Sequence, residues 1–342
     1  MIKIITVDEL FGKGGQDLAS LTGQAMKWER SKAIDEVLVG YSSIWPHNFA
    51  TASYLLALTR KLRLIVAHRP GVMDPTAAAR FFGTLDSLSG GGRLAVNVVS
   101  GSSEKDMKRE GDYSDKATRY ERATEYVELM KRCWSESGSF DHHGSFYKAE
   151  GVRQTLRSPG AHVPIYMGGD SDAAVEFGAR HADLYMLWGE PIAGTMERIK
   201  RVEAAARKYQ RTPQFSLSLR LFLGDSDDAA WDKAYRAWEV ISQAQGTGRF
   251  LRSSSSDQSV GRMRQLAFAS KALHDDCFWT GLVQLLGGFS NSAALVGTPD
   301  RVMQSLEQYR ELGVSAFLIT TGEDGNWDDS LEAFAMQMKE QL

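Results

Sequence analysis

Gly168-Gly169-Asp170-Ser171-Asp172 is the segment of this chain best equipped to hold an anion. Glycines leave room beside the backbone. The free N–H groups and macrodipole of a helix that starts there attract negative charge such as a phosphate. The same Asp and Ser also serve as ordinary N-caps, so the segment alone leaves phosphate binding and plain capping open. Asn97-Val98-Val99-Ser100-Gly101-Ser102-Ser103 gathers an amide and several hydroxyls, which suit a phosphate, a heterocycle or a polar turn. Arg220 lies in the apolar run LSLRLFL, where alternation places it on one face with Ser216 and Ser218. A charge pointing inward needs a partner, either a structural counter-ion or an anionic ligand. Trp45 and Trp188 offer flat apolar surfaces to a ring system, or simply to core packing. The paired His142 and His143 read as solvated turn residues. Cys133 and Cys277 lack neighbours at ligand spacing, so neither a structural zinc nor a disulfide framework is expected.

The elements that must position these residues alternate in type. Short β-branched runs precede longer segments of helical period, the pattern of βα units around a parallel sheet. Strands are expected at Ile2 to Thr6, Glu36 to Tyr41, Leu62 to Ala67, Arg93 to Val99, Val163 to Met167, Ala182 to Leu187, Phe215 to Leu223 and Ala316 to Thr321. Helices are expected at Gln16 to Ser31, Asn48 to Thr59, from Pro75 onward, up to Glu136, Pro191 to Tyr209, from Pro299 onward and Asn326 to Leu342. Gly90-Gly91-Gly92 leaves a helix and enters a strand, the reverse of a phosphate loop, and reads as a C-cap and turn. Phe140 to Glu150 reads as an appended hairpin.

Eight such units, without a glycine fingerprint after the first strand, predict an α/β fold, a closed (β/α)8 TIM barrel, formed by residues 1–342 as a single domain. Chemistry then belongs at the C-terminal ends of the strands. Roughly 70 residues separate the seventh strand from the helix at Pro299, an insertion after the seventh strand and far beyond an ordinary loop. Within this stretch, residues 224–290, helices are expected at Asp227 to Ala244 and Val260 to Leu273. The Gly- and Ser-rich tract Gly246 to Gln258 is a candidate lid.

Composition narrows the partners. The net charge is −3, with Lys and Arg dispersed along the chain, which argues against nucleic acid. No run approaches the ~20 apolar residues needed to span a bilayer, and MIKIITVDELFG is neither a signal nor a transit peptide. Sparse cysteine fits a reducing cytoplasm.

The run VAHRPGVMDPTAAARFFGTLDSLSGGGRLAVNVVSGSS resembles the third and fourth units of the FMNH2-dependent alkanesulfonate monooxygenases, in the bacterial luciferase-like flavin monooxygenase superfamily. RYERATEYVELMKRCW, YMGGDSDAAVEFGARHADLYMLWGEP and SAALVG are similar to further blocks in the same order, so the resemblance extends from about Glu36 to Phe317. It implies a TIM barrel acting as the oxygenase half of a two-component system. A separate NAD(P)H-dependent flavin reductase supplies FMN as FMNH2, and O2 is used to oxidise a small organosulfur compound, with C–S cleavage and sulfite release in the alkanesulfonate case. Carried over by motif, Asn97, Ser100, Tyr120, Gly168, Gly169 and Ser171 contact FMN, the last three at its phosphate. Trp188 and Arg220 face the reacting end. Barrels of this type often pair through exposed helices, so a homo-oligomer is expected.

The chain also departs from the family. Asp8 stands where members typically carry a His, Trp45 where a Cys is expected and Phe222 where a second His is expected. Gly288-Phe289-Ser290 replaces the region of a sulfonate-gripping Arg, and TGEDGNW replaces a YPH-like stretch. His68, Arg69 and Arg252 are candidates to compensate, with Trp45 and His68 beside Trp188 and Arg220 at the catalytic end. Two alternatives stand beside this reading: a deazaflavin (F420)-dependent oxidoreductase on the same barrel, and a non-catalytic flavin-binding protein, which the lost residues suggest.

Overall fold

The structure is a computed structural model that describes residues 2–7, 18–100, 104–155, 162–246, 259–288, 291–320 and 327–342. Eight parallel strands close into a barrel: Lys3–Val7, Glu36–Val39, Arg63–His68, Leu94–Val98, Ile165–Met167, Leu184–Trp188, Gln214–Leu223 and Val314–Thr320. The last strand closes the ring, with Ile4 opposite Phe317 on one side and Leu217 opposite Phe317 on the other. The (β/α)8 TIM barrel read from the sequence is therefore the fold.

Both faces of these strands are covered, which is why they read as continuous apolar runs rather than alternating ones. Ile5, Ile65, Ala95, Tyr166, Leu184 and Leu318 point inward and fill the barrel. Ile4, Leu64, Val66, Val96, Ile165 and Leu217 point outward against the helices. Each fully buried aliphatic side chain contributes about 1.5–3 kcal/mol.

Local chemistry sets where helices begin. Asp115 caps Lys116–Ser135 by accepting from Thr118 N at 2.9 Å, and Asp328 caps Asp329–Gln341 through Leu331 N at 2.8 Å. The glycine run is a turn, as its position required. Pro75–Leu88 ends at Ser89, and Gly90, Gly91 and Gly92 follow with φ of 101°, 85° and 72°. Buried Arg93 then fixes the entry to the fourth strand, donating Nε to Leu62 O at 2.9 Å and Nη2 to Thr59 Oγ1 at 2.7 Å. Phe140–His143 and Lys148–Val152 form the expected antiparallel hairpin. The Glu125 carboxylate pins its tip, accepting from Ser145, Phe146 and Tyr147 N at 2.9, 2.9 and 2.8 Å.

After the seventh strand come Asp227–Gly246, Val260–Phe268 and Gly281–Leu285, all helical. The expected helix to Leu273 stops at Phe268. Leu273–His274 is instead a short strand paired antiparallel with Phe278–Trp279, and His274 Nε2 lies 2.9 Å from Phe268 O, which closes off the helix end. Ala294–Gly297, an unpredicted strand, runs parallel to Arg220–Leu223. Most of the candidate lid, residues 247–258, lies outside the described residues. Among the described residues no helix is long and apolar enough to cross a membrane.

Candidate functional site

A cavity of about 490 Å³ opens at the C-terminal ends of the strands. That lies within the usual range for small-molecule sites. The fourth strand and its exit supply Asn97 and Ser100, and the first turns of Lys116–Ser135 supply Lys116, Arg119 and Tyr120. Gly168, Gly169, Asp170 and Ser171 come from the exit of the fifth strand. Trp188 ends the sixth, and Ser216 and Ser218 lie along the seventh. Leu38, Met186, Leu187 and Leu318 make an apolar part of the wall, and the insertion adds Ser259, Val260, Gly261 and Asn291.

The fifth strand's exit is built for close approach. A Cβ on Gly168 would fall 2.3 Å from Met186 O, and one on Gly169, at φ 152°, would fall 2.7 Å from Ala174 Cβ. Only glycine fits both places. Tyr185 Oη donates to Gly169 O at 2.7 Å and fixes the turn. Ser171 is the N-cap of Asp172–His181, accepting from Ala174 N at 3.3 Å. Burial pushes the Tyr120 hydroxyl up to about 12, although its hydrogen bond with Ser171 pulls the other way. Tyr120 is thus a neutral hydroxyl at the cavity wall at physiological pH.

Two further hydroxyls, Ser100 Oγ and Ser218 Oγ, are buried at this wall and have no hydrogen-bond partner among the described residues. An unmet buried polar group costs about 1–3 kcal/mol. Together with the side-chain-free cradle at Gly168 and Gly169, these orphans fit a ligand that is polar at several points. The residues present therefore suit a phosphorylated heterocycle such as FMN.

Behind the cradle lies a buried ionic chain that the sequence reading did not anticipate. Arg198 Nη2 is 2.5 Å from Asp170 Oδ1, and its Nη1 is 3.5 Å from Glu190 Oε1. Arg264, from the insertion, grips Glu190 with Nε and Nη2 at 3.1 and 2.9 Å. Asp170, Arg198 and Glu190 are 7%, 4% and 1% exposed. Burial pushes the Asp170 carboxyl upward in pKa, with Arg198 pulling against it. Gln265 Nε2 donates to Gly189 O at 2.7 Å, so the helix Val260–Phe268 is tied to the rim at successive residues.

Seven of the sequence-derived residues meet at this cavity: Asn97, Ser100, Tyr120, Gly168, Gly169, Ser171 and Trp188. Arg220 stands beside it, half-buried on the face it shares with Ser216 and Ser218, and its Nε donates to Asn291 O at 2.8 Å. Trp45 is not brought there. It is 40% exposed, and its indole covers Gly40, where a Cβ would lie 3.0 Å from Cζ3.

His68 is not brought there either. Alternation along the third strand turns it outward with Leu64 and Val66, into the helix layer. It is fully buried, with Nε2 2.6 Å from Tyr126 Oη and its ring against Phe49 and Phe82 at 5.3 and 5.4 Å. Burial, aided by His47, pushes its pKa down to about 3, so it is a neutral packing residue. Arg69 is engaged with Glu110 and lies over the Tyr41 ring at 4.7 Å. Asp8, Ser102, Ser103, Arg252, Phe289, Ser290 and the segment 321–326 lie outside the described residues. Among the described residues no cluster of His, Cys, Asp and Glu is arranged to hold a metal ion.

The sequence profile described as luciferase-like monooxygenase matches residues 5–316. The chain belongs to that family. Solved structures similar to this luciferase-like chain include a riboflavin lyase with modified FMN and riboflavin, 19% identical, covering 99% of this chain and 91% of that one at a TM-score of 0.78. A long-chain alkane monooxygenase is 19% identical over 99% and 91% of the two chains, with a TM-score of 0.75. An F420-dependent secondary alcohol dehydrogenase is 15% identical over 99% and 97%, with a TM-score of 0.68. At these identities the likeness is one of fold.

Proposed function

We propose that this protein is the oxygenase component of a two-component flavin monooxygenase, taking FMNH2 from a separate NAD(P)H-dependent reductase and using O2 to oxidise a small organosulfur compound, such as an alkanesulfonate or a sulfone. The observation that carries the reading is the meeting of Asn97, Ser100, Tyr120, Gly168, Gly169, Ser171 and Trp188 at one cavity on the strand ends of a luciferase-like barrel. Reduced FMN, when bound, supplies the electrons that activate oxygen.

The protein's share is binding, orientation and exclusion of water. Ser171, Gly169 and the N–H groups opening Asp172–His181 hold the phosphate, and Tyr120 donates from its neutral hydroxyl. Asn97 and the orphan hydroxyls of Ser100 and Ser218 satisfy ring heteroatoms. Trp188 and the apolar side chains Leu38, Met186 and Leu318 keep the reacting end dry. Arg220 stabilises negative charge there while it holds Asn291 O. A homo-oligomer belongs to the same proposal. It is supported by an open groove of about 680 Å³ between Asn48–Leu58 and Pro75–Leu88, lined by Leu56, Phe81, Leu85 and Leu88 among others, and sedimentation tests it.

A second reading, hydride transfer with a deazaflavin, draws support from the likeness to the F420-dependent alcohol dehydrogenase. One experiment separates the two. Oxygen uptake is followed with reductase, NAD(P)H and FMN across a panel of sulfonates and sulfones, with sulfite measured alongside. The monooxygenase reading expects substrate-dependent uptake. No uptake with any substrate, together with binding and reduction of the deazaflavin, overturns it.

A further inference from the structure

Asp170 places a carboxylate one residue before the N-cap of the helix that faces the cavity. It is 7% exposed and lines the cavity together with Tyr120 and Ser171, on the wall where the phosphate is assigned. The lining cations at this end, Lys116, Arg119 and Arg198, are matched by the lining acids Glu104, Asp115 and Asp170.

Arg198 is moreover committed. It serves Asp170 at 2.5 Å, Glu190 at 3.5 Å and the Trp188 carbonyl at 3.4 Å. Arg119 donates its Nε to Ser100 O at 3.2 Å and another N–H to Ser114 O. A site made to retain a dianion turns arginine forks toward it. Here hydroxyls and backbone N–H groups would meet the anion, while Arg119 and Arg198 are spent on carboxylates and carbonyls.

We propose that Asp170 is an affinity-setting residue, whose carboxylate weakens the hold on a flavin's phosphate so that the phosphorylated cofactor exchanges instead of staying bound. The proposal rests on the flavin reading above. It also suits a protein that receives its cofactor from another one, because exchange is governed mainly by the off-rate. Removing the charge with Asp170→Asn relieves the repulsion while an amide oxygen stays available to Arg198, which also keeps Glu190 at 3.5 Å.

The test compares dissociation constants of oxidised FMN and of riboflavin, which lacks the phosphate, by quenching of flavin fluorescence. Asp170→Asn is expected to bind FMN about ten-fold more tightly than the wild type, with riboflavin unchanged. Asp170→Ser, a smaller uncharged replacement, should do the same and covers the case in which the Asn variant folds poorly. An unchanged or weakened FMN affinity, or equal tightening of both flavins, overturns the role of Asp170 while leaving the flavin site standing. If neither flavin binds to the wild type or the variants, the flavin reading itself fails and the proposal falls with it.

Discussion

Arg264→Ala tests whether the insertion is bolted to the barrel by charge. Arg264 grips Glu190 through two N–H groups at 3.1 and 2.9 Å, and Glu190 is 1% exposed. Without Arg264, the Glu190 carboxylate keeps, among the described residues, only Arg198 at 3.5 Å, an arginine already held by Asp170 at 2.5 Å. Two buried acids would then share one guanidinium. Removing one partner of a buried pair costs about 3–5 kcal/mol. The Arg264 side chain is 23% exposed, so water offsets part of that loss and roughly 2–3 kcal/mol remains. Unfolding entropy of about 2.1 cal/mol/K per residue over 342 residues gives about 1.4 °C per kcal/mol, hence a Tm lowered by about 3–4 °C. Scanning calorimetry reads this directly. Adding Glu190→Gln should recover part of the loss, because it removes the stranded charge, so the two substitutions are non-additive. A Tm within about half a degree of wild type, or strict additivity, would refute the reasoning.

Ser171→Ala loses an N-cap worth about 1 kcal/mol, whereas Ser171→Gly keeps most of it. If the hydroxyl holds phosphate, both variants weaken FMN relative to riboflavin and only the Ala variant loses Tm; FMN affinity that follows Tm refutes the assignment. Arg220→Ala should lower turnover about a hundred-fold or more in steady-state assays of oxygen uptake, with little change in Tm. Arg220→Lys separates two causes, since it keeps the charge but not the Nε donor to Asn291 O; recovery by Lys favours charge, failure favours positioning, and near-normal turnover in the Ala variant removes Arg220 from the mechanism. Burial, with Lys131 and Arg180 adding to it, pushes His181 down to about 3, while an unfolded histidine titrates near 6.5. The unfolded chain therefore binds the extra proton, and stability that is full above about pH 6.5 falls as pH drops toward 3, by about 2 kcal/mol between pH 7.5 and 5 for this one residue. His181→Phe, which keeps an aromatic ring against Phe177, should flatten that part of the slope in denaturant titrations, and an unchanged slope counts against it.

Periodicity made the barrel legible because each strand is buried on both faces, so runs such as RLIVAH and LAVNV announce themselves. The cradle was legible for a different reason: glycines followed by N-cap residues at a strand exit constrain the backbone locally, and Gly168, Gly169 and Ser171 stand where that constraint places them. His68 shows where such reading stops. One residue of phase on the third strand decides between the barrel interior and the helix layer, and its neighbours Leu64 and Val66 are too alike to Ile65 for composition to set the phase. Trp45 lies apart from the cavity's lining residues, and an indole on a loop has nothing in sequence to fix its direction. The chain Asp170–Arg198–Glu190–Arg264 was invisible because its members come from four separate segments, and nothing local distinguishes a buried Arg from a solvated one.

The insertion lines the cavity as a consequence of the seventh strand's length. Gln214–Leu223 has ten residues. Its first part closes the barrel, with Ser216 opposite Met186 and Leu217 opposite Phe317. Its last part passes the rim, and there Ala294–Gly297 pairs with Arg220–Leu223 in place of a barrel neighbour. A strand edge left open at that point would expose unpaired N–H and C=O groups. The returning chain covers that edge, with Arg220 N donating to Ala293 O at 2.9 Å and Arg220 Nε donating to Asn291 O at 2.8 Å. Pairing that protects the edge thus also delivers Asn291 to the mouth. The grip of Arg264 on Glu190 does the same for Val260 and Gly261, so one side of the cavity depends on contacts made outside the barrel.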